Sequence, residues 1–175
     1  METMTTGAYR DQTWVNPKLE PRRSPIEGRG LYAVEPIREG ETIAILGGRI
    51  GSDEEVRALE PPYSSAALAE NINIIIDDNS IIRFGNHSCD PNAWMIDSIT
   101  EVSQRLIDRG EEITIDYALH TAMSDWLMHC NCGSSLCRRL ITGDDWKRAK
   151  LQERYDNHWS PFILERIKRV RASRS

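Results

Sequence analysis

The four cysteines of this 175-residue chain fall into two groups, and bringing those groups together constrains the fold more than any other feature. Cys130, Cys132 and Cys137 form a C-x-C-x4-C pattern, and Cys89 is the one other cysteine. Structural zinc takes four tetrahedral ligands and binds thiolates well. Four cysteines match four ligands, so the sequence predicts a zinc site that joins these two segments.

Two other interpretations fit the same cysteines. Buried cysteines can pack as small apolar side chains, and cysteines form disulfides in an oxidising compartment. The chain starts with no signal-peptide pattern, which argues against such a compartment. His129 is an alternative fourth ligand, although its position beside Cys130 would strain the geometry.

The segment that contains Cys89 is too polar to be core. It runs from Arg83 to Asn92 and reads Arg-Phe-Gly-Asn-His-Ser-Cys-Asp-Pro-Asn, which ends in a turn signal. Ile81 and Ile82 before it are typical of the end of a strand. We therefore expect the polar residues on a loop at a sheet edge, where functional groups are common.

Composition and charge exclude several classes of protein. Hydrophobic residues make up 39% and charged residues 28%, which indicates a globular chain of about one domain. No apolar run approaches the roughly 20 residues of a membrane helix. The net charge of -5 argues against direct nucleic-acid binding and favours a basic protein partner. We expect an intracellular protein, cytoplasmic or nuclear.

Short β-prone segments between turn residues predict a mostly β domain. The predicted strands are residues 42–46, 72–76, 81–84, 99–106 and 113–117. Two short helices are predicted over residues 52–60 and 64–70.

The two ends of the chain have patterns of their own. Residues 1–18 lack periodicity and are expected to form a flexible N-terminal lead-in. Residues 141–175 are predicted to form a C-terminal helical extension. Within it, Ser160 and Pro161 have the order of N-cap and first-turn proline, and apolar residues then recur at i, i+4 and i+7.

Two glycines flank Arg29 immediately before a β-prone run. Glycine allows another group to approach the backbone closely, so a ligand site at Gly28 and Gly30 is one interpretation, but the spacing alone favours an ordinary glycine-rich turn. The segment is no dinucleotide fingerprint, because the third glycine and the following helix are missing.

Four motifs in this order carry a resemblance to a known family. They are Gly28-Arg29-Gly30-Leu31-Tyr32-Ala33, Arg83-Phe84-x-Asn86-His87-Ser88-Cys89-x-Pro91-Asn92, Gly110-Glu111-Glu112-Ile113-Thr114-Ile115-Asp116-Tyr117 and the C-x-C-x4-C. Over roughly residues 19–140 the chain resembles a compact SET-domain protein-lysine methyltransferase with a post-SET cysteine segment. The resemblance implies a β-clip fold of short strands and small helices, in which the Asn-His loop crosses the Tyr117 segment in a pseudoknot.

The resemblance also implies a cofactor and a metal. In this family the Gly-x-Gly backbone and the Asn-His pair hold S-adenosylmethionine, the methyl donor. The matching cofactor-binding residues of this chain are Arg29, Gly30, Arg83, Asn86 and His87. The resemblance further implies that Cys89 shares a zinc ion with the post-SET cysteines, so that the metal closes one wall of the active site.

The implied reaction is in-line transfer of a methyl group from a sulfonium to a lysine amine of a protein. Only the neutral amine can attack, and deprotonating a lysine of pKa about 10.4 costs roughly 4 to 5 kcal/mol at pH 7. A dry channel beside the sulfonium lowers that cost. Tyr117 is assigned to aligning the amine, because a phenol of pKa about 10 is a poor base at neutral pH.

Three further residues are expected to line the substrate channel: Tyr63, Ile115 and Trp126. Ile115 occupies a position where many family members carry an aromatic residue that limits methylation, so we expect that more than one methyl group can be added. Tyr63 and Trp126 could equally be core residues.

Two other classes of function stay open. One is a catalytically silent SET-like module that binds a protein partner, and the other is a small structural protein stabilised by zinc. The combination of Asn86, His87 and Tyr117 favours the enzyme, with histones or another basic protein as substrate.

Overall fold

The computed structural model describes residues 9–173, and these residues form a mostly β fold, as predicted. The strands are β1 (Trp14–Val15), β2 (Leu19–Arg23), β3 (Arg29–Ala33), β4 (Thr42–Ile45), β5 (Gly48–Gly51), β6 (Ser65–Ala69), β7 (Ile72–Ile76), β8 (Asn86–His87), β9 (Ala93–Met95), β10 (Thr100–Ser103), β11 (Glu112–Ile115), β12 (Leu127–His129) and β13 (Leu140–Thr142). The α-helices are α1 (Asp53–Arg57), α2 (Ala149–Tyr155) and α3 (Pro161–Ala172), and the 3-10 helices are Ile81–Phe84, Tyr117–Leu119 and Asp145–Lys147.

The strands form three sheets within this range. The largest has the order β1-β4-β10-β9-β11-β3-β2, and β8 pairs with β11 off this path. A second sheet has the order β5-β7-β6, and β12 pairs with β13. The main core contains buried residues of both larger sheets, such as Leu31, Ile43, Leu68 and Ile74.

Strand β11 brings two of the sequence motifs together. It pairs in parallel with β8, with Thr114 opposite Asn86 and Ile115 opposite His87. It also pairs in parallel with β9, where Ile115 lies opposite Ala93. Parallel neighbours require a long connection between them, and here the connection from β8 to β11 contains Cys89, β9 and β10.

Several predicted elements are confirmed, among them the strands at residues 42–46 and 72–76. Helix α1 falls within the predicted residues 52–60 and begins with a capping box between Ser52 and Glu55. Helix α3 begins at Pro161, after Ser160, as predicted. Its buried stripe includes Ile163 and Ile167.

Two predicted elements are wrong. Residues 81–84 form a 3-10 helix, not a strand, because the Ser80 hydroxyl caps the Ile82 amide and starts a turn. Residues 65–69 form strand β6, not a helix. Alanine favours a helix in isolation, but here β6 pairs with β7 and buries Ala66, Ala67 and Leu68, and tertiary burial outweighs propensity.

The first and last described segments pack on different strands of the fold. Residues 1–8 of the expected lead-in lie outside the described residues, and from Trp14 to Val15 the chain pairs with β4. Helices α2 and α3 pack on β9 and β11 in a second core cluster. That cluster contains Met95, Ile115, Leu119, Trp146, Tyr155, Trp159, Ile163 and Ile167. No helix within residues 9–173 is long and apolar enough to cross a membrane.

Candidate active site and metal site

The four cysteines lie together, although Cys89 is far from the others in sequence. The Sγ atoms of Cys89, Cys130, Cys132 and Cys137 all lie within 4.8 Å of one another. Sulfurs around a tetrahedral zinc at about 2.3 Å lie about 3.8 Å apart, and the Sγ atoms of Cys89 and Cys130 are 3.9 Å apart. This donor set therefore fits a four-coordinate metal ion. All four cysteines are free thiols, and His129 lies outside the cluster.

His87 connects this cluster to Tyr117. The Tyr117 backbone amide donates to His87 Nδ1 at 3.1 Å, so the ring proton must lie on Nε2. Nε2 lies 3.3 Å from Cys89 Sγ and donates toward that sulfur. Burial lowers the pKa of His87 to about 4, so the ring is neutral at pH 7. Both ring nitrogens are thus occupied within the protein, which leaves the backbone of His87 as its means of contacting a cofactor.

Asp116 is fully buried and fixes the turn on which Tyr117 stands. Arg138 donates to its two oxygens at 2.6 and 2.8 Å, and the Tyr155 hydroxyl donates at 2.8 Å. A fourth hydrogen bond comes from the Ala118 amide at 3.0 Å. Burial alone would raise the pKa of Asp116, but the Arg138 guanidinium and the other donors hold it below 3.8.

Arg138 follows the last cysteine directly and is buried between two acidic residues. Its Nε also donates to Asp145 at 3.0 Å, and its backbone amide donates to Cys89 Sγ at 3.3 Å. The post-SET segment is therefore attached to the Tyr117 turn by an ion pair as well as by the cysteine cluster.

Asn86 holds the glycine-rich segment in place. Its Nδ2 donates to the carbonyls of Glu27 and Arg29 at 3.2 and 3.0 Å, and to Glu112 Oε1 at 2.8 Å. A Cβ at Gly30 would collide with the Glu112 carboxylate. Gly30 thus permits the close approach of the Glu112 side chain, which is a group of the protein itself.

Arg29 and Arg83 share one aromatic ring. Their guanidinium carbons lie 4.4 and 4.8 Å from the centroid of the Phe84 ring. Neither forms an ion pair with another residue of the described chain. Two cations without acidic partners beside Asn86 form a surface that fits an anionic group.

Tyr117 lies in the 3-10 turn just after β11, two residues beyond the strand end at Ile115. Its hydroxyl donates to the Gly85 carbonyl at 2.7 Å. Burial is the main reason that the pKa of this phenol is raised well above 10. The hydroxyl therefore stays protonated at neutral pH and is held in one direction.

The fold brings the other predicted aromatic residues to Tyr117. The ring centroid of Trp126 lies 6.2 Å from that of Tyr117, and Trp126 Nε1 donates to the Tyr63 hydroxyl at 3.2 Å. Trp126 and Tyr63 are both only partly buried. Ile115 is different, because it is buried in the second core cluster beneath Tyr117.

Three residues that position this site, Asp116, Glu112 and Arg138, are not predicted from the sequence. The first two belong to the motif that ends in Tyr117. The available signal was an acidic residue next to Tyr117 and an arginine next to the last cysteine. Charged residues at such positions are usually exposed, so the signal was weak.

Comparisons with known proteins agree with this architecture. The family model described as SET domain matches residues 28–118, more than half of the chain. The methyltransferase domain of human histone-lysine N-methyltransferase SETMAR is similar in fold, with a TM-score of 0.57 and 19% identity over 71% of this chain and 58% of that chain. The SET-like fold class is thereby confirmed.

Relatives in sequence bear related names. The histone-lysine N-methyltransferase trithorax of Drosophila virilis is 33% identical over 68% of this chain, and human histone-lysine N-methyltransferase 2B is 30% identical over 68%. The Arabidopsis thaliana histone-lysine N-methyltransferase ASHH2 is 28% identical over 73%. The chain spans only 3%, 5% and 8% of these relatives, respectively. The match of the family model over more than half of its length shows that this chain belongs to the SET-domain family.

Proposed function

We propose that this protein is an S-adenosylmethionine-dependent protein-lysine N-methyltransferase that acts on histones or another basic protein. The observation that carries the proposal is the placement of Tyr117. Its amide is held by His87, its hydroxyl by the Gly85 carbonyl, and its ring lies beside Trp126. Membership of the SET-domain family, with relatives named histone-lysine N-methyltransferases, supports the same reaction class.

The methyl donor would bind beside Asn86. Arg29 and Arg83 offer cationic groups to the carboxylate of S-adenosylmethionine, and the Phe84 ring beneath them is already fixed. Asn86 and Glu112 shape this surface by holding the glycine-rich segment against β11. The cofactor's sulfonium supplies an electrophilic methyl group; the residues of this chain bind and orient.

The target lysine would enter past Trp126 and Tyr63 and end at Tyr117. The hydrogen bond between Trp126 and Tyr63 fixes both rings as one wall of the entrance. Because the Tyr117 phenol is neutral, it aligns the amine and does not take its proton. The net charge of -5 favours a basic substrate. A histone substrate would require access to chromatin.

Cys89, Cys130, Cys132 and Cys137 would hold one zinc ion in a structural role. Zinc binding to such sites contributes on the order of 10 to 16 kcal/mol, which is ample to order the segment that carries Trp126 and Arg138. Elemental analysis should find one zinc ion per chain. Chelation should reduce cofactor affinity and expose Trp126, which fluorescence would report.

Calorimetric titration with S-adenosylmethionine tests the cofactor site without knowledge of the substrate. We expect binding in the micromolar range and a loss of about tenfold or more in Arg83→Met, since a charge-assisted contact contributes about 1.5 to 3 kcal/mol. Arg109→Met is the matched control, because Arg109 is exposed on a remote turn and should leave binding unchanged. Absence of binding would contradict the proposal and favour the silent protein-binding module.

Transfer of labelled methyl groups to purified core histones tests the reaction. Tyr117→Phe should lower turnover by about 10²-fold, because a misplaced reacting amine costs that much, while cofactor binding stays intact. Equal turnover in Tyr117→Phe and the unmodified protein would contradict the role of Tyr117. Mass spectrometry of the product would show whether more than one methyl group is added.

A further inference from the structure

Glu101 is a buried acid that the site described above does not use. It lies on β10, in the middle of the largest sheet, and only 7% of its surface is exposed. Its carboxylate forms no hydrogen bond or ion pair with any residue of the described chain, 9–173. Its cross-strand neighbours, Ala44 and Met95, are apolar. An unpaired buried carboxylate is costly, so it calls for an explanation.

Strand register places Glu101 on the same side of the sheet as Ile115. Glu101 lies opposite Met95 on β9, and Ala93, two residues before Met95, lies opposite Ile115 on β11. Residues two apart on a strand, and residues directly opposite each other, share a face. Glu101, Met95 and Ile115 therefore lie on one face, and Tyr117 packs against the buried cluster that contains Met95 and Ile115.

The charge of Glu101 also affects the pKa of Tyr117. After burial, Glu101 is the strongest influence that raises the pKa of the Tyr117 phenol. Glu101 thus lies within electrostatic range of the Tyr117 phenol, where the target amine would arrive. A carboxylate there has the charge that complements a lysine ammonium, and the described chain itself supplies no cation to it.

We propose that Glu101 is a further catalytic residue, whose carboxylate binds the ammonium of the target lysine beside Tyr117 and accepts one of its protons. The proposal rests on the proposed function and adds a general base to it.

In the proposed step an N–H bond of the lysine ammonium breaks, and the proton forms an O–H bond on Glu101. The freed nitrogen lone pair attacks the methyl carbon, and the S–C bond breaks with its electron pair retained on sulfur. The products are an N-methylammonium and S-adenosylhomocysteine. Glu101 loses its proton to water when the product leaves.

Burial brings the pKa of Glu101 and the pKa of the target lysine closer together. Ordinary glutamate and lysine differ in pKa by about 6 units, with values near 4.3 and 10.4. Burial raises the pKa of Glu101 to about 7, and a dry channel beside a sulfonium lowers the pKa of the lysine. Transfer of the proton then costs far less than release to bulk water.

A carbon NMR titration of the Glu101 carboxyl tests its location without a protein substrate. Saturating S-adenosylmethionine, which carries a sulfonium, should lower the Glu101 pKa by about one unit or more, whereas S-adenosylhomocysteine, whose thioether sulfur is neutral, should not. Glu101→Gln assigns the signal. Failure of either compound to bind would overturn the proposed function together with this inference. Binding of both with the same Glu101 pKa would overturn the inference alone.

Methyl transfer to core histones tests the proton transfer. Glu101→Gln should lower kcat/KM at pH 7 by about 10²-fold, within the usual range for loss of a general base. Activity of the unmodified protein should level off near or below about pH 7, whereas that of the variant should keep rising about tenfold per pH unit. Glu111→Gln, the same change at a remote surface pair with Arg105, is the control. Equal pH profiles for Glu101→Gln and the unmodified protein would contradict the role.

Discussion

Two buried carboxylates near Tyr117 have opposite surroundings. Asp116 is 0% exposed and accepts four hydrogen bonds, two of them from the buried Arg138 guanidinium. Glu101 is 7% exposed and has no partner among residues 9–173. The pKa of Asp116 is accordingly lowered and that of Glu101 raised to about 7.

The difference shows that burial alone does not decide the charge of an acid. Burial raises the pKa of both, and only Asp116 has donors that outweigh it. Three of its four hydrogen bonds come from Arg138 and Tyr155, which lie after the last cysteine in the chain. Asp116 is therefore a structural anion, and Glu101 is an acid whose charge depends on what enters the site.

The largest expected effect comes from breaking the Asp116 ion pair. Arg138→Met should lower the free energy of unfolding by about 3 to 5 kcal/mol, because it leaves a buried carboxylate without its cation. Denaturant unfolding of the zinc-loaded protein measures this change. A loss below about 1 kcal/mol would mean that Asp116 is not a structural anion.

Removing the charge of Glu101 should raise the free energy of unfolding, whereas Arg138→Met lowers it. Its folded pKa, about 7, lies above the ordinary 4.5, so its contribution to stability is present below pH 4.5 and is lost as the pH rises through 7. Relative to the unmodified protein, Glu101→Gln should gain about 3 kcal/mol between pH 4 and pH 8. Thermal unfolding of both proteins across that range tests this, and a difference that does not change with pH would contradict it.

Tyr155→Phe removes one hydrogen-bond donor to Asp116 without changing the charges around that carboxylate. The Tyr155 hydroxyl is buried and donates to Asp116 at 2.8 Å. Its loss should cost about 2 kcal/mol, the usual range for a hydrogen bond to a charged group. Unfolding of the variant at pH 7 measures the cost, and an unchanged stability would show that Arg138 and the backbone suffice.

The smallest effect is expected at the edge of the same network. Arg148 donates to Asp145 at 2.9 Å, but 53% of its side chain is exposed. Arg148→Met should lower the free energy of unfolding by less than about 1 kcal/mol. It is the matched control for Arg138→Met, and equal losses in the two variants would remove the distinction between buried and exposed donors.

Local sequence determined much of the fold and of the candidate site. The cysteine spacing predicted the cluster of four thiols, and the β-prone segments predicted four of the strands, β4, β7, β10 and β11. The resemblance to the SET-domain family implied that Asn86 and His87 would meet the segment that ends in Tyr117, and β8 pairs with β11. These features depend on residue type and spacing, which the sequence contains directly.

Tertiary structure decided the features that depend on which neighbouring elements bury or pair with a residue. Residues 65–69 are a strand because β7 lies beside them. Arg138 reaches Asp116 because the cysteine cluster folds its segment back. A glutamate in an alternating strand such as β10 ordinarily faces solvent, yet Glu101 is buried because β4 and β9 flank that strand and its face is covered. Periodicity shows which residues share a face, but only the assembled sheet shows what covers it.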